Sequence, residues 1–152
     1  MTDHIATEHT DHAEHAGNIV HFFETLTLES AAQVERIYSE DAFFKDPFNE
    51  VRGLSTIRKL FEHMFVQVKN PRFEVTETVQ QGDQLFMTWN FLFHMPRYAT
   101  QEQCIRGATH FRLAPDGRVT YHRDYWDAAE ELYEKLPLLG SLMRGLKHIA
   151  RK

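Results

Sequence analysis

An imidazole, a carboxylate and an indole recur at alternate positions near the end of a stretch that reads Asp116-Gly117-Arg118-Val119-Thr120-Tyr121-His122-Arg123-Asp124-Tyr125-Trp126-Asp127. Asp116-Gly117 is a hairpin-turn signal, so the residues after it read as a strand. Alternate strand residues share a face, which puts His122, Asp124 and Trp126 together. A carboxylate beside an imidazole holds the ring in one tautomer. With an aromatic ring alongside, the chemistry implied is proton transfer in an apolar chamber. The pattern also has a plainer reading, in which Val119, Tyr121 and Tyr125 form the core side and the polar set faces solvent or fixes strand register. Both alternating sets are mixed, so periodicity leaves the choice open.

Asp46 is the second candidate acid–base group. It follows Phe43 and Phe44 and precedes Pro47 and Phe48. A carboxylate among rings is poorly solvated, which suits it to accept a proton. The alternative is a turn aspartate that accepts from the backbone of the following segment. Across the sheet, His122 or His110 is the more plausible partner of Asp124, because its neighbour Arg123 faces the other way. Only one of Thr109 and His110 can face inward. His94 reads as a rim residue, and Cys104, with no activating base nearby in sequence, as inert. Trp89, Phe91 and Phe93 share one face and suit either a chamber wall or plain core. Arg106 and Arg112 share the face of His110 and suit an outer surface. No glycine-rich phosphate loop and no paired His/carboxylate ligand motif is present, so no metal and no cofactor is expected.

The elements that must position these groups follow from pattern. Ile19, Phe22, Phe23 and Leu26 recur at helical spacing. Ser30-Ala31-Ala32-Gln33 resembles a capping box ahead of a second short helix carrying Val34, Ile37 and Tyr38. Residues 42–46 read as a short strand closed by Pro47. Gly53 precedes a helix in which Ile57, Leu60, Phe61, Met64, Phe65 and Val68 form the apolar stripe, and Asn70-Pro71 stops it. Four strands follow: one with Phe73, Val75 and Val79 alternating, one over 85–95, one over 103–113, and the last after Asp116-Gly117. Helix, helix, strand, helix and four strands make an α+β protein in which a curved, antiparallel, cone-shaped sheet wraps around N-terminal helices.

Three regions are expected. Residues 1–16, with His4, His9, His12 and His15 among acidic residues, read as a mobile tail; His9, His12 and His15 would share a helix face, but no scaffold for a metal is visible. Residues 17–135 form the domain. Residues 136–152 form a basic amphipathic helix with Leu138, Leu139, Leu142, Met143, Leu146 and Ile149 on one side. That helix is expected to pack on its own domain or a dimer mate, with membrane contact the lesser alternative.

At 152 residues, one domain can bury most of its apolar surface. A hydrophobic content of 42% with twelve Phe implies a ring-rich core, and a formal charge of −5 argues against a general nucleic-acid binder. One cysteine excludes an internal disulfide and suits a reducing compartment. No apolar run is long enough to span a bilayer, and the N-terminus lacks the basic-then-apolar pattern of a signal peptide. A cytoplasmic protein is the expectation.

Four segments in order resemble the nuclear transport factor 2-like superfamily, in its SnoaL-like and ketosteroid-isomerase-like branch. They are Tyr38-Ser39-Glu40-Asp41-Ala42, Lys45-Asp46-Pro47-Phe48, Gly53 before the helix with Ile57, and Arg123-Asp124-Tyr125-Trp126. The resemblance covers about residues 18–133. It implies the cone-shaped fold, a homodimer formed through the exposed sheet face, and a pocket for a small apolar molecule, with acid–base isomerisation, cyclisation or hydration as the activity. A non-catalytic binding or dimerisation module is the alternative, since this fold hosts many functions. By the resemblance, Asp46 matches the general base of ketosteroid isomerases. Their two oxyanion donors, a tyrosine and a protonated aspartic acid, fall on Phe22 and Thr109, which argues against that mechanism. Asp124 matches a catalytic aspartate of limonene epoxide hydrolases, whose charged middle-strand pair falls on the uncharged run Trp89-Asn90-Phe91-Leu92. The residues expected at the site are thus Asp46, Asp124 and His122 for proton transfer, with Phe22, Tyr38, Phe44, Phe48, Phe61, Phe65, Trp89, Thr109 and Trp126 holding the ligand.

Overall fold

Ile19, Phe22 and Phe23 put one face of the first helix against the sheet, where all three are buried. The computed structural model describes residues 2–96 and 101–133, with single positions 144, 148 and 150 beyond them. The order is α1 (Thr2–Glu24), α2 (Leu28–Ala31), a 3-10 turn (Val34–Arg36), β1 (Tyr38–Lys45), β2 (Glu50–Arg52), α3 (Leu54–Gln67), β3 (Lys69–Gln81), β4 (Gln84–His94), β5 (Gln103–Leu113), β6 (Val119–Tyr125) and α4 (Ala128–Glu131). Apart from positions 144, 148 and 150, the expected helix over 136–152 lies outside the described residues.

The six strands form one curved, unclosed sheet in the order β2-β1-β6-β5-β4-β3. β3 to β6 form an antiparallel meander, as the turn signals imply. β1 departs from the antiparallel expectation by pairing in parallel with β6. A parallel pair needs a long crossover, and α3 with the whole meander supplies it. β2, three residues with one apolar side chain, pairs with the outer edge of β1; so short a segment carries no legible alternation.

Two local expectations change. The capping box is formed by Thr27 and Ser30, not by Ser30 and Gln33: Thr27 Oγ1 accepts from Ser30 N at 3.1 Å and Ser30 Oγ from Thr27 N at 2.9 Å. α2 is therefore one short turn, and Tyr38 opens β1 instead of riding on a helix. The helix expected from the spacing of Ile19, Phe22, Phe23 and Leu26 begins at Thr2, so residues 2–16 are continuous with it. The ring of His15 lies over Gly117 so closely that a Cβ at that position would collide with it. Gly117 is fixed twice, by this approach and by its φ of 86° in the hairpin turn.

The interior is a nest of rings. Phe61 of α3 meets Phe22, Phe23, Tyr38 and Phe44 at centroid distances of 6.0–6.4 Å. Phe111 adds to this from β5, 5.9 Å from Phe23. Edge-to-face pairs at such distances contribute beyond their buried area. On the opposite face of the sheet a second row of rings crosses four strands: Phe43 stacks on Tyr121, Tyr121 meets His110, and His110 stacks on Phe86 at 4.4 Å.

Candidate functional site

The phase of β6 is set by a bulge. Its register with β5 shifts between Arg112 and Leu113, so that Val119 pairs with Leu113 and Tyr121 already with Arg112. Val119 is buried, and three residues later His122 is buried too, at 2% exposure. A pure alternation cannot bury both. The extra residue turns His122 and Asp124 inward while keeping Val119 in the core.

His122 is wedged among Phe23, Tyr38, Phe44 and Phe111, with centroids 4.3–6.0 Å away. Both its nitrogens are engaged. Nε2 lies 2.7 Å from Asp124 Oδ1, and Nδ1 lies 2.8 Å from the Tyr38 hydroxyl. With Asp124 ionised, Nε2–H donates to the carboxylate and Nδ1 accepts from Tyr38. Burial first, and the charge of Asp124 second, raise the Tyr38 hydroxyl well above the usual tyrosine range, so it stays a donor. From the other side, Trp89 Nε1 donates to Thr109 Oγ1 at 2.8 Å, and that hydroxyl donates to Asp124 Oδ1 at 2.6 Å. Two strings of donors thus converge on one oxygen. Oδ2 of Asp124 has no hydrogen-bond partner among the described residues.

Asp124 lines an open cleft of about 520 Å³ with Lys45, Asp46, Pro47, Arg123, Tyr125, Trp126 and Asp127. The cleft exists because the parallel strands part: their pairing ends at Lys45 and Arg123. Beyond that point Asp46 turns one chain away, its Oδ1 accepting from Phe48 N at 2.7 Å and Asn49 N at 2.6 Å. Asp127 starts α4 as its N-cap, accepting from Ala129 N and Glu130 N.

The expected residues therefore divide. Asp46 and Asp124 face one cleft, but both oxygens of Asp46 are also bonded to Asn49 Nδ2 at 3.0 Å, and the side chain serves the turn. His122, Tyr38 and Thr109 stand behind Asp124. Trp126 lines the cleft, with Phe48 edge-on to it at 5.6 Å. Phe22, Phe44 and Phe61 are buried in the ring nest, and Trp89 lies buried against Phe73. The apolar chamber expected inside the cone is occupied at those positions by the protein's own rings. Phe65 lines a separate cleft of about 410 Å³ between the α1–α2 junction and the start of β3. Sequence reasoning missed Lys45, Arg123 and Asp127 as cleft residues, because strand alternation assigns Arg123 and Asp124 to opposite faces and cannot see where two strands part. No group of three metal-ligating side chains occurs among the described residues.

Solved structures share this fold. An LEH-like epoxide hydrolase from M. tuberculosis superposes with a TM-score of 0.64 at 16% identity, covering 80% of this chain and 82% of its own. A protein from Jannaschia sp. CCS1 assigned to the SnoaL-like polyketide cyclases gives 0.68 at 14%, covering 79% and 90%. A protein of ketosteroid isomerase-like fold from Catenulispora acidiphila, in complex with trimethylamine, gives 0.63 at 15%, covering 74% and 85%. No curated protein sequence matches the chain. The SnoaL-like domain family matches residues 19–122, well over half the chain and inclusive of β1 through His122, and the protein belongs to that family.

Proposed function

We propose that the protein is an acid–base enzyme acting on a small, largely apolar molecule held in the cleft between β1 and β6, with Asp124 as the group that moves the proton. The observation that carries this is the asymmetry of one carboxylate on a residue that lines the cleft: two donors fix Oδ1, while Oδ2 has none among the described residues. A base held in one orientation by its neighbours is ready to act without reorganising. His122 and Thr109 position it, and Tyr38 fixes the tautomer of His122. Isomerisation, cyclisation and hydration all need such a group. One solved structure of this fold holds trimethylamine and another is an LEH-like epoxide hydrolase, which supports a small-molecule substrate. No metal or cofactor is part of this proposal. A single cysteine suits a cytoplasmic setting.

A second reading is favoured by the filled ring nest: a non-catalytic module whose interior is its own side chains. The two separate on one probe. Hydrogen–deuterium exchange at the α-carbon of 2-tetralone, followed by NMR, accelerates over buffer for an enzyme and falls in Asp124→Asn. Unaccelerated exchange favours the module. Homodimerisation is proposed for the outer face, where Phe86, half-exposed, ends the row of rings Phe43-Tyr121-His110-Phe86.

A further inference from the structure

Phe48, beside the Asp124 cleft, is 54% exposed. It meets Trp126 at 5.6 Å and Tyr133 at 6.1 Å, so three rings form one apolar rim. Tyr133 closes the described run, and the chain goes on from it into residues 134–152. The place where it leaves is fixed by Glu131, which is buried. Its Oε2 accepts from Arg106 N at 3.3 Å, and its Oε1 accepts from the Arg106 guanidinium at 2.7 and 3.1 Å. The pairing of β5 with β6 ends at Ala108 and Tyr125. α4 is thus clamped to β5 just past the end of β6, and the chain is delivered to the rim.

We infer that residues 136–152 of the same chain dock on the rim of Phe48, Trp126 and Tyr133 and cover the cleft, apolar side inward. Leu138, Leu139, Leu142, Met143, Leu146 and Ile149 recur there at helical spacing, and such a stripe needs a surface to cover it. Arg144 and His148, on the other side of that stripe, are helical and exposed. Charge matches as well. The segment carries Arg144, Lys147, Arg151 and Lys152 and no Asp or Glu. The cleft sets Asp46, Asp124 and Asp127 against Lys45 and Arg123, and Lys45 is already held 3.0 Å from Glu50. Exposed ion pairs contribute little, so the apolar contact holds the segment and the charges orient it. Pro137 cannot continue a helix, which lets the chain turn after α4. As a helix the segment is roughly 25 Å long, enough to cross the cleft. Covering it closes a chamber over Asp124 and takes water from that side, where charges then act more strongly. The inference goes beyond the proposed role of Asp124 and holds without it.

The test uses the full chain and acrylamide quenching of tryptophan fluorescence. Of the two tryptophans Trp89 is buried, so the quenchable emission belongs to Trp126, and Trp126→Phe should remove it. Leu139→Gln combined with Leu142→Gln should raise that quenching at least about twofold, since losing two buried leucines lowers the docked population more than about tenfold. Circular dichroism should be unchanged. If that variant does not fold, Lys147→Glu with Arg151→Glu reads the same contact through charge: quenching rises at low salt and equals native at high salt. Quenching equal to native in the leucine variant, or no rise at low salt in the charge variant, overturns the inference. Protection of Trp126 in the native protein that is lost on dilution from micromolar to nanomolar assigns the cover to a second copy and overturns it too. So does binding of anionic phosphatidylglycerol vesicles that leaves Trp126 quenching unmoved by the leucine changes, which gives the apolar stripe to a bilayer. The readout is separate from proton exchange. Loss of exchange in Asp124→Asn with unmoved quenching removes only the cover, and a raised quenching with no exchange in the native protein removes only the enzyme.

Discussion

Trp89 and Gly107 are direct partners across the β4–β5 pair, and the indole fills the space that a side chain at position 107 would occupy. Gly107 needs no unusual φ; it is required because a Cβ there would overlap the six-membered ring of the indole. That close approach brings Trp89 Nε1 to Thr109, two residues along β5, and so begins one of the two donor strings that end on Asp124.

Gly107→Ala should therefore displace the indole. Overpacking of this kind costs about 1–3 kcal/mol. In a Trp126→Phe background, where Trp89 is the remaining tryptophan, its emission should shift to the red with a lower urea midpoint. Unchanged emission and stability would show that the ring is not held as described.

Tyr38 links stability to pH. The unfolded chain ionises this hydroxyl near its ordinary value of 10.0, and the native state only well above it. Above that ordinary value the native state binds more protons than the unfolded one, so stability falls as pH rises; below it the contribution is intact. Tyr38→Phe should lower stability at pH 7 by about 1–3 kcal/mol, since His122 Nδ1 is left buried without its donor, and should flatten the alkaline decline. Urea titrations at neutral and alkaline pH measure both. A decline as steep in the variant would assign it to other groups.

The two cleft carboxylates should respond differently. Asp124→Asn is expected to reduce proton exchange by about 10²–10⁴-fold, the usual range for one acid–base group, with circular dichroism unchanged. Asp46→Ala removes the acceptor for Phe48 N and Asn49 N, and should lower the unfolding free energy from urea titration by about 1 kcal/mol while affecting exchange far less than Asp124→Asn does. The reverse ranking would make Asp46 the base.

Sedimentation tests the outer face. A homodimer at micromolar concentration should dissociate when Phe86, half-exposed at the end of the ring row, becomes Glu, because a charge is costly in an apolar contact. A native monomer at that concentration would remove the dimer.

The sequence by itself determined the class of the fold and most of its parts. Ile57 and Phe61 at helical spacing, the turn at Asp116-Gly117 and the long apolar runs of β4 and β5 are local signals, and local periodicity is what they require. It also brought His122 and Asp124 to one face as a pair. It did not determine which way that pair looks, because the bulge between Val119 and Tyr121 breaks the alternation, and a bulge depends on the partner strand. It gave no sign that Tyr38 caps His122 from 84 residues away, or that Trp89 reaches Asp124 through Thr109. Such contacts depend on strands that meet only after the chain has folded. The cleft is the furthest from local pattern: it arises where β1 and β6, parallel neighbours from opposite ends of the domain, diverge past Lys45 and Arg123, and only the tertiary structure decides where two such strands part.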